Sequence, residues 1–244
     1  MEPNTCPTMN HKELLAETVA AIEAKADTAR QEAAKWYYPT SMRVIGAKNP
    51  DLTPVISGLV KKFRGYPPEE AVAFAKMLTG TDIFECQVTA FTMLTKLKKP
   101  LAVLTLQDLN ELGRTLDNWA SVDAFSCYVA GIVWRLGNIS DEVVRGWAVS
   151  DNRWIRRSAV VCTVALNQKS RGGTGDPRRT LEICEIAAAD HDDMVVKAVS
   201  WALRELSKRE PELIRDFLAK HESVLHKKVL REVRNKLETG RKLG

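Results

Sequence analysis

The sequence lacks the patterns that mark membrane, secreted and metal-binding proteins. No stretch approaches the roughly 18 apolar residues of a membrane-spanning helix, and the start, MEPNTCPTMNHKELLAE, has no basic segment followed by an apolar one. The five cysteines are widely spaced without a C-x-x-C pair, which argues against a disulfide framework and a zinc site. We therefore expect a soluble, cytoplasmic protein with reduced cysteines in its core and no metal.

Several enzyme motifs are also missing. The chain has no P-loop, no G-x-G-x-x-G, no H-E-x-x-H and no G-x-S-x-G. Nothing in it points to Ser-His-Asp chemistry. The histidines are scattered in polar settings, and we interpret all four as surface residues: His11, His191, His221 and His226.

Helical periodicity dominates what is present. Apolar residues recur three and four apart, and no alternating strand pair or hairpin turn is visible. Proline is expected in first helical turns at Pro54, Pro177 and Pro211. The main periodic segments are ELLAETVAAIEAKADTAR, DIFECQVTAFTMLTKLKK, SVDAFSCYVAGIVWRLG, NRWIRRSAVVCTVALNQ, DMVVKAVSWALRELSKR and SVLHKKVLREVRNKLE.

The spacing of these helices predicts a repeat architecture. The longer ones are expected to begin near positions 82, 121, 152, 192 and 223, at intervals of 39, 31, 40 and 31 residues, with shorter helices between them. A short helix followed by a long one is typical of a helical-hairpin solenoid of the HEAT kind. We therefore predict an all-α, HEAT-like solenoid with a concave DNA-binding face, a single domain over 1–244 with a flexible tail at 1–10.

Charge is distributed unevenly along the chain. The net charge is +5, but residues 1–33 carry −3, residues 151–179 carry +5 and the segment from Lys197 to the end carries +6. This asymmetry favours a polyanionic partner for the later part of the chain, although many basic helical faces are merely solvated.

Two aromatic stretches are candidates for chemistry. In DNWASVDAF, residues 117–125, Trp119 and Asp123 are four apart and would share a helical face. From composition alone, an N-terminal helix charge beside a core tryptophan is the simpler interpretation. Trp201 lies in the apolar helix VKAVSWALRELSK, where core packing is the default.

The third stretch is basic. In SDNRWIRRSAVV, residues 150–161, three arginines lie within five residues at an expected helix start: Arg153, Arg156 and Arg157. Exposed helical N–H groups and guanidinium groups together make an anion site. A solvated basic turn is an equally good interpretation of the same residues.

Taken in order, WASVD, SDNRWIRR and KAVSWALRE resemble the AlkD family of HEAT-like DNA glycosylases. The match is strongest over 117–220, and YYPTSMRVIGAKNP, 37–50, is similar to the family's N-terminal segment ending in G-x-x-x-P. The chain departs from the family after Pro50, where Asp51 replaces an expected basic residue.

The resemblance implies roles for five residues. Asp123 corresponds to the catalytic carboxylate, with Trp119 and Trp201 as the aromatic pair beside the lesion nucleotide. Arg157 corresponds to the arginine that holds DNA phosphate, and Tyr37 lies near a position that faces the lesion. The expected DNA-binding residues are Arg157, Arg156, Arg153, Tyr37 and Lys48.

The implied activity is excision of cationic N3- or N7-alkylated purines from duplex DNA. Asp123 would stabilise an oxocarbenium-like transition state without base flipping, and no cofactor is needed. The resemblance also implies a monomer that associates with the nucleoid by binding DNA. The alternatives are a HEAT-like module that binds DNA without cutting it, and a protein-binding scaffold.

Overall fold

The computed structural model describes residues 9–242, and these form α-helices joined by short turns, with no β-strand. One isolated bridge links Arg43 and Ile83. The predicted all-α class is confirmed. None of the helices over 9–242 is long and apolar enough to cross a membrane. Residues 1–8, with Cys6 and most of the predicted tail, lie outside the described residues.

The chain divides into two compact units between Ser121 and Val122. In the first unit α1 and α4 pack with α3 and α5, and α6 packs on α4. The prediction of a single domain stays a prediction. The helices of the first unit are α1 (His11–Glu23), α2 (Thr28–Tyr37), α3 (Asn49–Phe63), α4 (Pro68–Thr79), α5 (Phe84–Leu97), α6 (Leu106–Leu112) and the start of α7 (Trp119–Phe125).

The first periodic segment is two helices rather than the single one predicted. Asp27 starts the second helix, because its carboxylate accepts the Arg30 backbone N–H (3.2 Å) and caps α2. The Asp27 N–H in turn donates to the carbonyl of Ile45 (3.1 Å). A contact so distant in sequence leaves no trace in the apolar periodicity.

The start of α3 was also misplaced. The helix begins at Asn49, so Pro54 lies inside it and not in its first turn. Asp51 fixes the earlier start because its carboxylate accepts the Lys48 backbone N–H (3.2 Å), and Pro50 occupies the first turn instead. Pro177 and Pro211 do begin their helices, as predicted.

The second unit is a stack of helical hairpins. The long helices pack side by side in chain order, α8 on α10, α10 on α12 and α12 on α14, while α9 and α11 pack against each other and on α10. Its helices are the end of α7, α8 (Gly131–Leu136), α9 (Asp141–Ala148), α10 (Arg153–Asn167), α11 (Pro177–Ile186), α12 (Asp193–Leu206), α13 (Pro211–Lys220) and α14 (Lys227–Thr239).

The repeat is more even in the structure than in the sequence. The long helices begin at residues 84, 119, 153, 193 and 227, at intervals of 35, 34, 40 and 34 residues. The last start lies four residues after the predicted 223, because the imidazole of His226 accepts the Lys228 N–H (3.1 Å) and caps α14.

A π-helical turn, Ser126–Ala130, joins α7 to α8 within one continuous rod. Gly131 follows it and brings this rod against α10. A Cβ atom at Gly131 would lie 2.6 Å from the Cys162 carbonyl oxygen and 2.7 Å from the Ala165 side chain. Only glycine allows this close backbone approach, which sets the distance between the two helices that carry the candidate site.

The four described cysteines agree with the prediction of burial, whereas one histidine departs from the prediction of a surface position. Four cysteines are free and buried, as expected: Cys86, Cys127, Cys162 and Cys184. Burial raises the pKa of the Cys86 thiol to about 11 and that of Cys184 to about 12. The surface assignment of His221 was wrong, because it is buried against Phe217 with ring centroids 4.4 Å apart.

Candidate functional site

The centre of the second unit's candidate site is an ion pair between Asp123 and Arg157. The Arg157 Nε and Nη2 atoms donate to the two carboxylate oxygens of Asp123 at 2.9 and 2.7 Å. Nη1 donates to the carbonyl of Met194, in the first turn of α12. The arginine side chain is 6% exposed and that of Asp123 is 17% exposed. A planar guanidinium that meets both oxygens fixes the carboxylate in one orientation.

Burial raises the pKa of Asp123 above its usual range, and the Arg157 guanidinium opposes that shift. The cause is the loss of hydration of the ionised carboxylate in a largely enclosed position. A carboxylate that water solvates poorly interacts more strongly with any positive charge brought against it. A cation on the carboxylate side of the pair would therefore be stabilised by Asp123, while the Arg157 guanidinium offsets part of that stabilisation.

Packing between α7, its π turn and α10 holds the pair in place. The Ser126 hydroxyl donates to the Val122 carbonyl (2.7 Å) and lies 2.8 Å from the Ser158 hydroxyl. Ser158 follows Arg157 directly and is buried. Departures from α-helical pairing are frequent at functional sites. Here the π-helical turn Ser126–Ala130 begins three residues after Asp123. The apolar periodicity of the sequence did not predict this turn.

The other two arginines of SDNRWIRR are also held by carboxylates. Arg156 Nε meets Asp190 at 2.7 Å, and its Nη1 donates to the carbonyls of Ser150 (2.9 Å) and Asp151 (3.0 Å). Arg153 lies 3.5 Å from Asp192. The expected anion site is therefore braced by acidic residues from the turn before α12.

Exposure separates the three arginines. The Arg153 side chain is 46% exposed, whereas that of Arg157 is 6% exposed with every guanidinium nitrogen donating to protein atoms. The Arg153 guanidinium also lies over the Trp154 ring, 4.6 Å from its centroid. Of these residues Arg153 is the best presented to a phosphate, and the phosphate contact of Arg157 stays a prediction.

Trp201 lies on α12, seven residues after Met194, with its side chain partly exposed. Over residues 9–242 no hydrogen bond or ring contact joins it to Asp123 or Arg157. Core packing, the default interpretation, therefore covers only part of this side chain. A partly exposed indole remains available to a ligand.

The first unit brings Trp119 and Tyr37 together. The Trp119 indole N–H donates to the Tyr37 carbonyl (2.8 Å), and the two rings meet edge to face with centroids 5.1 Å apart. Tyr37 remains 68% exposed, and its neighbour Trp36 is 88% exposed. The N-terminal segment that resembles the AlkD family therefore lies against the first of the three motifs.

Asp117 ties the same segment down. Its carboxylate accepts the Thr40 hydroxyl (2.6 Å) and the Ser41 backbone N–H (2.5 Å). Partial burial alone would raise the pKa of Asp117, but the hydrogen bonds from Ser41 and Thr40 outweigh it and hold the pKa below its usual range. Sequence reasoning missed Asp117, although it begins the stretch DNWASVDAF.

The glycine of G-x-x-x-P has a structural role. Gly46 has a φ of 85° and its position leaves no room for a Cβ atom, which would lie 2.3 Å from the Asp27 carbonyl. The buried carboxylate of Glu85 accepts the N–H groups of Ile45 (2.9 Å) and Gly46 (2.7 Å). Lys48 follows as an exposed residue preceding α3, so a DNA contact there stays a prediction.

No group of three or more His, Cys, Asp or Glu side chains within residues 9–242 is placed to hold a metal ion.

Comparison with known proteins identifies the family to which the chain belongs. The chain matches the family model described as DNA alkylation repair enzyme over residues 18–237. It is similar to a solved structure described as a predicted DNA alkylation repair enzyme from Enterococcus faecalis, with 18% identity and a TM-score of 0.65. That similarity covers 93% of this chain and 96% of the other. No curated protein matches the chain. Because the family model spans nearly the whole sequence, the chain belongs to the AlkD-like family of DNA alkylation repair enzymes.

Proposed function

We propose that the protein is a DNA glycosylase that removes cationic N3- or N7-alkylated purines from duplex DNA. Family membership supports an enzyme with a role in DNA repair. The observation that carries the finer assignment is Asp123, a carboxylate held by two hydrogen bonds from a buried arginine. Excision without base flipping, by a monomer associated with the nucleoid, is part of the same proposal.

The reaction suits a fixed carboxylate. Alkylation at N3 or N7 makes the purine cationic, so it leaves as a neutral base and needs no general acid. Positive charge then develops on the deoxyribose, and a preorganised carboxylate near C1′ stabilises it. In this proposal Asp123 supplies that charge and positions the attacking water. Arg157 acts as a positioning residue, because it orients the carboxylate and favours its ionised form.

The aromatic residues contribute through their electron-rich faces. Indole rings attract cations, and both Trp119 and Trp201 are partly exposed. We assign them to the lesion nucleotide, with Tyr37 beside Trp119. Arg153 is assigned to DNA phosphate because it is the most exposed of the three arginines. Such contacts fix the sugar against the carboxylate without reading sequence.

A non-catalytic DNA-binding module is the alternative that one observation favours. Asp123 is paired with Arg157, and a buried ion pair also serves folding alone. Under that alternative the acid would hold α7 to α10 and would take no part in cutting the glycosidic bond. A protein-binding scaffold would show no salt-sensitive affinity for DNA.

The direct test is incubation of the protein with duplex DNA carrying one N7-methylguanine, followed by measurement of released base. A matched duplex with uracil at the same position is the control. We expect release of the methylated base and no release of uracil, because a neutral base without a general acid leaves as an anion. Binding without release would favour the non-catalytic module. Efficient uracil release would overturn the mechanism.

A further inference from the structure

A small cavity in the first unit lies apart from all residues used above. Its volume is about 240 Å³, and it opens where α3 ends, α4 begins and α5 ends. Phe63, Tyr66 and Pro100 provide apolar and aromatic walls, while Arg64 and Lys99 bring positive charge. The Phe63 and Tyr66 rings meet edge to face with centroids 6.4 Å apart.

Both charged residues that line this cavity are basic, Arg64 and Lys99. Segments 55–68 and 86–107 contain six basic residues and no acidic one: Lys61, Lys62, Arg64, Lys96, Lys98 and Lys99. Over residues 9–242 none of the six has an ion-pair partner. Nearby acids are already engaged, since Glu70 meets His11 at 2.9 Å and both Asp108 and Glu111 pair with Lys76. Glu69 follows Pro68 but does not line the cavity.

Helix ends explain only part of this cluster. A cation near a helix C-terminus interacts favourably with the helix dipole, which accounts for one or two lysines on each helix. It does not account for the position of Arg64 and Lys99 on the wall of an aromatic hollow, where neither has an ion-pair partner among the described residues. Lys98 is also held at φ 63°, a backbone region that favours glycine. A residue kept there against its backbone preference points to a use for its side chain.

We propose that this cavity binds one unstacked nucleotide of single-stranded DNA. The base would lie against Tyr66 and the apolar walls, and the flanking phosphates would meet Arg64, Lys98 and Lys99. Proteins that bind single strands combine these two features, aromatic platforms and a positive groove along the backbone. The cavity is smaller than the 300 Å³ or so of a typical drug-sized pocket, so it suits one nucleotide.

The apolar walls favour a single strand over a duplex. Bases in a duplex are stacked and paired, so a duplex presents phosphates to a basic surface but leaves an aromatic hollow empty. This assignment involves neither Asp123 nor Arg157. Failure of the excision assay would therefore leave it standing, and its own failure would leave the excision proposal intact.

The test is fluorescence anisotropy with a labelled oligodeoxythymidylate and, separately, a duplex of the same length. Tyr66→Ala should weaken single-strand affinity roughly five- to hundredfold. Arg64→Ala, Lys98→Ala and Lys99→Ala combined should make the slope of log K against log salt less negative by roughly 2. The matched control neutralises Lys12, Lys25 and Arg30 in the same unit, and it should change the slope much less.

Lys98→Gly distinguishes binding from folding. Glycine relieves the positive φ, so the thermal midpoint should rise while single-strand affinity falls. A purely structural lysine would show no loss of affinity. Unchanged affinity in both the Tyr66→Ala variant and the combined Arg64, Lys98 and Lys99 variant would overturn the proposal. An equal loss for duplex, or tighter binding of RNA than of DNA, would overturn the assignment to single-stranded DNA.

Discussion

Two aspartates six residues apart, Asp117 in the first unit and Asp123 in the second, are held in opposite ways. Asp117 accepts hydrogen bonds from a hydroxyl and a backbone N–H, and its pKa lies below the usual range. Asp123 faces a buried guanidinium in a more enclosed place, and its pKa is raised. The family resemblance implied a role for Asp123 only, and the composition of the sequence does not distinguish the two aspartates.

The difference shows how environment assigns a role to a carboxylate. Neutral donors stabilise Asp117 as an anion, so it serves to fasten the segment around Ser41. The Asp123 carboxylate loses hydration in its enclosed position, and water screens its charge only weakly. A raised pKa in an enclosed position is one reason why we propose a catalytic role for Asp123 and not for Asp117.

The largest expected effect is on stability at Arg157. Arg157→Ala leaves the Asp123 carboxylate buried without its counter-ion, which should cost about 3–5 kcal/mol of unfolding free energy in urea titration. Arg234→Ala is the control, since that arginine meets Glu222 at 2.6 Å with both side chains about half exposed. It should cost no more than about 1 kcal/mol.

A double variant checks the cause. Combining Arg157→Ala with Asp123→Asn removes the unpaired charge and should recover part of the lost stability. A double variant less stable than Arg157→Ala alone would show that the loss arises from packing around the arginine, and the contrast between the two aspartates would lose its electrostatic basis.

Asp123→Asn should lower single-turnover excision by roughly 100- to 1,000-fold, the range for removing one preorganised electrostatic contact. Its affinity for duplex DNA in a gel shift should be similar or slightly tighter, because a negative charge near phosphates is lost. Asp216→Asn, at an exposed aspartate of the same unit, is the matched control. Full activity in Asp123→Asn would remove this residue from the mechanism.

Much of the fold was predictable because burial of one helical face imposes a period on the sequence. The long helices α10 and α12 begin within one residue of the predicted positions 152 and 192, and α11 and α13 begin at the predicted Pro177 and Pro211. The misplaced boundaries share a physical cause. At Asp27, Asp51 and His226 a side chain caps a backbone N–H, and one capping contact overrides an apolar pattern that would continue through it.

The site was less predictable because its contacts are distant in sequence. Arg157 reaches Asp123 across 34 positions, and Arg156 reaches Asp190 across 34. The motif DHDD after α11 reads as an acidic loop, yet Asp190 and Asp192 pair with the candidate DNA-binding arginines. The basic cavity was missed because Arg64 and Lys99, 35 positions apart, line one hollow only after α3 and α5 pack together.

Asp117→Ala should cost about 1–3 kcal/mol, since it leaves a hydroxyl and a backbone N–H of a partly buried segment without their acceptor. Amide hydrogen exchange at Ser41 should accelerate at the same time. Asp117→Asn keeps one carbonyl oxygen and should have the smaller effect. Unchanged protection of the Ser41 amide would mean that the aromatic contacts of Tyr37 hold the segment without Asp117.

The smallest effect, a pH dependence, separates the two aspartates most cleanly. The pKa of Asp117 is lowered in the folded state, so its stabilisation is present above the unfolded value of about 3.9 and is lost as pH falls through the folded value. The pKa of Asp123 is raised, so its neutral form favours folding at low pH, and that contribution is lost as pH rises through the folded value.

Catalysis needs the ionised form of Asp123. Excision should therefore increase with pH along a limb that lies above the usual aspartate range, and then level off. Single-turnover rates across acidic to neutral pH measure this limb, and Asp123→Asn should abolish it while Asp117→Asn retains it. An excision rate that stays constant as pH falls to about 3.9, the pKa of an unfolded aspartate, would show that the charge that drives excision is not that of Asp123.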